Sequence, residues 1–144
     1  MDIYARVCDH LRILNLKTPR LNSSNKQIIQ EDKEPQDNER DVAVQSVATG
    51  SGQRDLARNR LVPLLVQISI KNLNQKQAYD DAWAIANSFD KLPRVENKGW
   101  VTLKSNDGSF LFESSEVTTY PRNLGQTEHK AYFYVLTIKL NITL

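Results

Sequence analysis

Read for chemistry, the chain offers few reactive side chains and no spacing that assembles them. His10 and His129 have no cysteine or carboxylate around them at metal-ligand spacing, so both read as surface or partly packed residues. Cys8 is the single cysteine and cannot form an internal disulfide; lying in a helical apolar stripe, it reads as a small buried hydrophobe and not as a nucleophile. Asp80 and Asp81 fall in the first turns of a helix, where favourable interaction with the N-terminal dipole explains them better than acid–base work. Glu113 and Glu116 stand at a strand end with no reason to pair. No GxSxG, HExxH, GxGxxG or Cys–His arrangement occurs, which disfavours an enzyme and implies no cofactor.

Two polar stretches hold most of the remaining candidates. Positions 31–41, EDKEPQDNERD, contain no aliphatic or aromatic residue and so cannot bury anything. Their carboxylates, Glu31, Asp32, Glu34, Asp37 and Glu39, lack the glycine turn and closing glutamate of a calcium loop. The stretch reads as a solvated loop, with subunit contact as the functional alternative. Positions 49–60, TGSGQRDLARNR, have neither the glycine spacing nor the Lys-Ser/Thr of a phosphate-binding loop, so the Gly-Ser-Gly reads as a flexible hairpin tip. Arg54, Arg58 and Arg60 in the same stretch are candidates for facing an anionic surface, protein or DNA. Tyr132, Phe133 and Tyr134 next to Lys130 resemble a base-stacking platform only superficially, because their alternation runs on into plain aliphatics and a core strand explains it. The sequons at Asn22 and Asn141 carry no weight without a secretory signal.

The elements that must position these residues centre on positions 61–91. In LVPLLVQISIK, Val62, Leu64, Val66, Ile68 and Ile70 alternate with a second face that turns polar after Leu65, predicting a strand over 61–71. In QKQAYDDAWAIANSFDK, Ala78, Ala82, Ile85, Ala86 and Phe89 form a narrow stripe on a helix over 75–91, with Asn74 as N-cap and Pro93 as its stop. Upstream, residues 2–14 predict an amphipathic helix with Asp2 as N-cap and Ile3, Val7, Leu11 and Leu14 on one side, widened by Tyr4 and Cys8. Positions 17–25 read as turns, 26–30 as a short strand, and 42–48 as a β-branched strand that makes a long antiparallel hairpin with 61–71. Downstream, 100–104 and 109–113 flank Asn106, Asp107 and Gly108 in a second predicted hairpin, and 114–127 read as an irregular connection. The last run, KAYFYVLTIKLNITL over 130–144, is apolar on both faces for half its length. Such a strand must be central, covered by helices or paired with a neighbouring subunit.

The totals bound this picture. A chain of 144 residues, 40% hydrophobic and 25% charged, fits one domain able to bury a core without staples. The net charge of +2, from 19 basic and 17 acidic residues interspersed along the chain, lacks the one-signed field of a dedicated nucleic-acid binder. No apolar run approaches a membrane span. Asp2, Arg6, Asp9, His10 and Arg12 interrupt the place where a signal peptide needs an apolar core, so a cytosolic protein is expected. The fold class expected is α+β: a mostly antiparallel sheet of four to five strands, an N-terminal and a central helix packed on one face, and a long projecting hairpin.

Three stretches resemble the tail terminator, or tail completion and minor tail, proteins of long-tailed bacteriophages. They are LVPLLVQISIKN leading into KQAYDDAWAIANSF, the GSFLFES that closes the second hairpin, and TYPRNLGQTEHKAYFYVLTIKLNI with its Leu124, Gly125, Glu128 and long final strand. The resemblance covers residues 60–144 and the N-terminal helix. It implies an α+β subunit of a homo-hexameric ring that caps the tail tube at its set length, stops polymerisation and offers the surface to which the filled head docks. The implied partners are further copies of the chain, the tail tube protein and a head–tail connector or neck protein, with DNA only as passing cargo and no membrane. The implied location is the virion tail at its neck junction, after assembly in the host cytoplasm. The family has no catalytic residues to carry over. The loops at 31–41 and 49–60, longer than a minimal version needs, are the expected contact surfaces. A head–tail connector or tail tube subunit, and a DNA-binding accessory protein using Arg54, Arg58 and Arg60, are the alternatives.

Overall fold

The computed structural model describes residues 2–14, 16, 41–47, 53–54, 60–96, 99–126 and 130–144. The predicted turns at 17–25, the strand at 26–30, most of the acidic stretch, the Gly-Ser-Gly tip and His129 lie outside the described residues.

The alternation at 61–71 becomes strand β3 (Arg60–Asn72), and it is the spine of the sheet. One edge of β3 carries β1 (Asp41–Ser46) and β2 (Gln53–Arg54); the other pairs along its length with β7 (Tyr132–Thr143), which in turn pairs with β6 (Leu111–Gln126). The order is β1-β3-β7-β6, with every pairing antiparallel. Thus β7, the run apolar on both faces, is internal: both its edges are hydrogen-bonded, which removes the aggregation hazard of an open strand. The register stacks like with like across the strands. Val44, Ile68 and Leu136 form one row and Val42, Ile70 and Tyr134 the next, all on the face that meets the helices. Burying side chains of this size contributes about 1.5–3 kcal/mol each before chain entropy is subtracted.

Helix α2 (Gln75–Phe89) lies on that face. Ala78, Ala82, Ile85, Ala86 and Phe89 are all fully buried, the small residues letting the backbone approach the sheet closely. Asn74 caps it, its side chain accepting from the Gln77 amide at 3.2 Å. The helix stops at Phe89, two residues short of the predicted end and before Pro93 can act. Asp90 is already extended, and Lys91 follows with φ of 55°. Ser115 of β6 takes over there: its hydroxyl donates to the Phe89 carbonyl and accepts from the Leu92 amide at 3.2 Å, and its own amide donates to the Leu92 carbonyl at 3.0 Å.

Helix α1 (Ile3–Ile13) packs on the same face through Ile3, Val7, Cys8 and Leu11. Asp2 precedes it without capping it. The Asp2 carboxylate turns away to the loop before β6, accepting from the Asn106 amide at 2.9 Å and the Ser105 hydroxyl at 2.8 Å.

Two downstream expectations are corrected. Residues 100–104 and 109–113 do not pair with each other. Instead β5 (Gly99–Val101) folds back on β4 (Arg94–Glu96), and Leu111 joins β7. The tight two-residue turn expected at Asp-Gly needs positive φ at both positions, and only Gly108, at 72°, has it. Asp107 spends its carboxylate on the Ser109 amide, 2.9 Å away, making a local side-chain turn that does not aim the flanks at each other. The second correction is the stretch 114–127, expected to be irregular. It is the bulk of β6, a 16-residue edge strand broken by register shifts at Phe112/Ser114, Val117/Thr119, Thr119/Arg122 and Asn123/Gln126.

Candidate interaction surface

The residues singled out for contact are distributed unevenly. Arg60 opens β3, exposed, and closes onto the C-terminus: its carbonyl accepts from the Leu144 amide at 2.8 Å. Arg54 lies opposite Arg60 in the β2–β3 register, so the sheet sets two of the three arginines at adjoining positions. Arg58 and the carboxylates Glu31, Asp32, Glu34, Asp37 and Glu39 lie outside the described residues.

Beside Arg60 the end of the sheet is apolar. Leu61 and Leu111 both pair with Thr143, from β3 and β6, and both are exposed together with Leu144. An exposed leucine by itself means little, but Leu61 and Leu111 flank Thr143 on one face of this sheet end, and exposed apolar side chains grouped in this way are of the kind that partners cover.

A second exposed group is aromatic and was not anticipated. Trp83 of α2 stacks on Tyr120 of β6 with ring centroids 5.6 Å apart, Tyr79 lies 6.3 Å from Trp83, and Tyr79 meets Tyr134 edge-on at 6.2 Å. Tyr79 and Tyr120 are each about half exposed, at 50% and 51%, so the ladder reaches the surface, while Tyr134 at its foot belongs to the core. Only the i, i+4 spacing of Tyr79 and Trp83 hints at it in the sequence; Tyr120 sits in a stretch that read as irregular. A third group is the β4–β5 hairpin, where Val95 and Trp100 are a cross-strand pair at 65% and 71% exposure. Its base is rigid: Arg94 donates to the Ser88 and Asp90 carbonyls at 3.0 Å each and to Glu96 at 2.7 Å.

Asp2 and Asp107 do structural work. Asp2, Ser105, Asp107 and Ser109 form one hydrogen-bonded cluster that fastens α1 to the loop entering β6. Burial works against the Asp2 carboxylate, but hydrogen bonds from the Asn106 amide and the Ser105 hydroxyl outweigh it and hold its pKa below the ordinary value. Hydrogen bonds from Ser109 and Ser105 hold Asp107 lower still. Burial pushes the Cys8 thiol up, as suits a packed side chain rather than a nucleophile. Among the described residues no three His, Cys, Asp or Glu side chains are grouped to hold a metal ion, and no helix is long and apolar enough to cross a membrane.

Comparison with known proteins gives this surface a context. A chain from the virion of the native gene transfer agent (GTA) particle superposes with a TM-score of 0.54 over 99% of this chain and 95% of its own, at 9% identity. At that identity the likeness is one of fold. No curated protein matches the sequence. The bacteriophage tail terminator protein family matches residues 27–144, which take in the whole sheet, α2 and every exposed group just described. The chain therefore belongs to the bacteriophage tail terminator family, a structural component of the phage tail.

Proposed function

We propose that this protein is a single-domain subunit of a homo-hexameric ring that seats on the end of the tail tube, arrests its polymerisation and presents the surface to which the head docks. The observation that carries this reading is the family match over 27–144. The exposed Val95–Trp100 pair, the Tyr79–Trp83–Tyr120 ladder and the leucines at the Arg60 end are consistent with it, since a ring subunit needs two different faces for its neighbours and a third for the tube. Copies of the chain, the tail tube protein and a connector or neck protein are the partners. Arg54, Arg58 and Arg60, with the acidic residues Glu31, Asp32, Glu34, Asp37 and Glu39, supply polar contacts at the rim. Assembly takes place in the host cytoplasm and the product is carried at the neck of the virion, with DNA passing through as cargo.

The test is to add purified protein to polymerising tail tubes and measure tube length by electron microscopy. Arrested tubes bearing one terminal ring support the reading. Tubes that lengthen unchanged, with the protein unbound or incorporated along the wall, overturn it.

A further inference from the structure

The face of the sheet turned away from the helices is buried at one end. Residues opposite one another on antiparallel strands share a face. Ala43, Ser69 and Val135 therefore form one row of this second face, and Lys71 and Phe133 form the next. All five are only 2–7% exposed, and none belongs to the core that the helices close. On the other side of the Ala43 row, Gln45, Gln67 and Thr137 are half-buried, and on β6 Arg122, opposite Val135, is exposed. A cover three strands wide thus lies over β1, β3 and β7 at this end and stops short of β6. Beneath it the Lys71 Nζ stands 5.9 Å from the centroid of the Phe133 ring.

Among the described residues nothing supplies this cover, because α1, α2 and the loop carrying Leu103 and Phe110 all join the core on the opposite face. Of the rest of the chain, 48–52 and 55–59 flank β2, which pairs at the Arg60 end of β3; 97–98 join β4 to β5; and 127–129 are only three residues. Residues 17–40 have the length and the right endpoints. They follow α1, which packs against the edge strand β1, and they end at Asp41, the register partner of Lys71. Three strands at about 4.8 Å spacing are about 10 Å across, and at about 3.3 Å per residue this stretch spans several times that. Its aliphatic residues are Leu21, Ile28 and Ile29, and its carboxylates, Glu31, Asp32, Glu34, Asp37 and Glu39, all lie between Ile29 and Asp41.

We propose that the Lys71 end of this face is the docking site of residues 17–40 of the same chain. The Ile28–Ile29 pair lies over Ala43, Phe133 and Val135, and the acidic stretch leads from it along the rim of the sheet to Asp41, bringing negative charge to the end where a lysine is buried. The chain itself thereby occupies one half of the face. The other half, with Leu61, Pro63, Leu65 and Leu111, stays open to partners.

The experiment acetylates the full-length protein with limiting acetic anhydride and follows each lysine by mass spectrometry. Lys71 should react far more slowly than the exposed Lys76 and Lys104. In the double variant Ile28→Asp, Ile29→Asp its rate relative to theirs should rise by about tenfold or more, the factor that one buried aliphatic side chain supplies. Cys8, on the helix face, should stay as unreactive to thiol reagents as before. In parallel, benzoylphenylalanine placed at Gln67, on the border of the buried rows, should cross-link on irradiation to a peptide from 17–40 in a product with the mass of one chain. An unchanged Lys71 rate in the double variant, no cross-link into 17–40, or a cross-linked product of two chains overturns the proposal. If the double variant unfolds, which Cys8 reports, the cross-link alone decides.

Discussion

Strands β6 and β7 are neighbours, paired along most of their length, and obey different rules. β7 is internal: seven of its twelve residues are buried, and its pairing with β3 runs without a break from Leu61↔Thr143 to Asn72↔Tyr132. β6 is an edge: beyond Val117 it has hardly any buried side chain, and its pairing with the same β7 shifts register four times. A strand packed between two others and under helices has each residue's face fixed by what it touches. An edge strand owes hydrogen bonds on one side only, so it can hold Pro121, which has no amide to donate, and Gly125 at φ of 95°, each inside a register shift. The bulges also twist the edge, one of the ways a long open strand is kept from pairing indiscriminately.

Substitutions can break or sharpen that contrast. The largest effect belongs to β7. Leu136→Ala or Ile138→Ala, both fully buried, should cost about 2–5 kcal/mol in urea unfolding, whereas Leu124→Ala on the exposed half of β6 should stay within about 0.5 kcal/mol. Equal losses would abolish the distinction. Ser115 is the exception that sharpens it, a buried polar residue on β6 whose hydroxyl makes two hydrogen bonds to the chain leaving α2, at Phe89 and Leu92; Ser115→Ala should cost about 1–3 kcal/mol, more than any other β6 polar substitution. Gly125→Ala should cost about 1 kcal/mol from its positive φ alone, since the space around it is open. The smallest effect concerns the loop that feeds β6. Asp2 and Asp107 titrate below their ordinary 3.8 when folded, so their contribution is complete above that value and is lost as pH falls through the folded values. Asp2→Asn should therefore flatten the unfolding curve below about pH 4 and leave its slope near neutrality unchanged.

The same contrast explains what the sequence disclosed. The β3 alternation, the α2 stripe and the two-sided β7 were legible because burial imposes periods of two and 3.6 residues on the side chains. Asn74 was legible as a cap because its acceptor is local. Asp2 was not, because the groups it satisfies lie more than 100 residues away in sequence. The Asn-Asp-Gly turn and TYPRNLGQ misled for one reason: turn-forming residues report local backbone freedom, not whether the flanking chain pairs with itself, with another strand or with nothing. Of the candidate groups, the arginines were visible as composition, while the Trp83–Tyr120 stack needed β6 to be placed beside α2.

The claim that this tail terminator family member works as a ring is tested most directly by its mass in solution. Light scattering across a wide concentration range, with negative-stain images of the same samples, should give single closed rings of six copies, or a monomer that forms them once tail tubes are added. Stacked tubes formed by the protein alone, or a monomer that stays one in the presence of tail tubes, would contradict it.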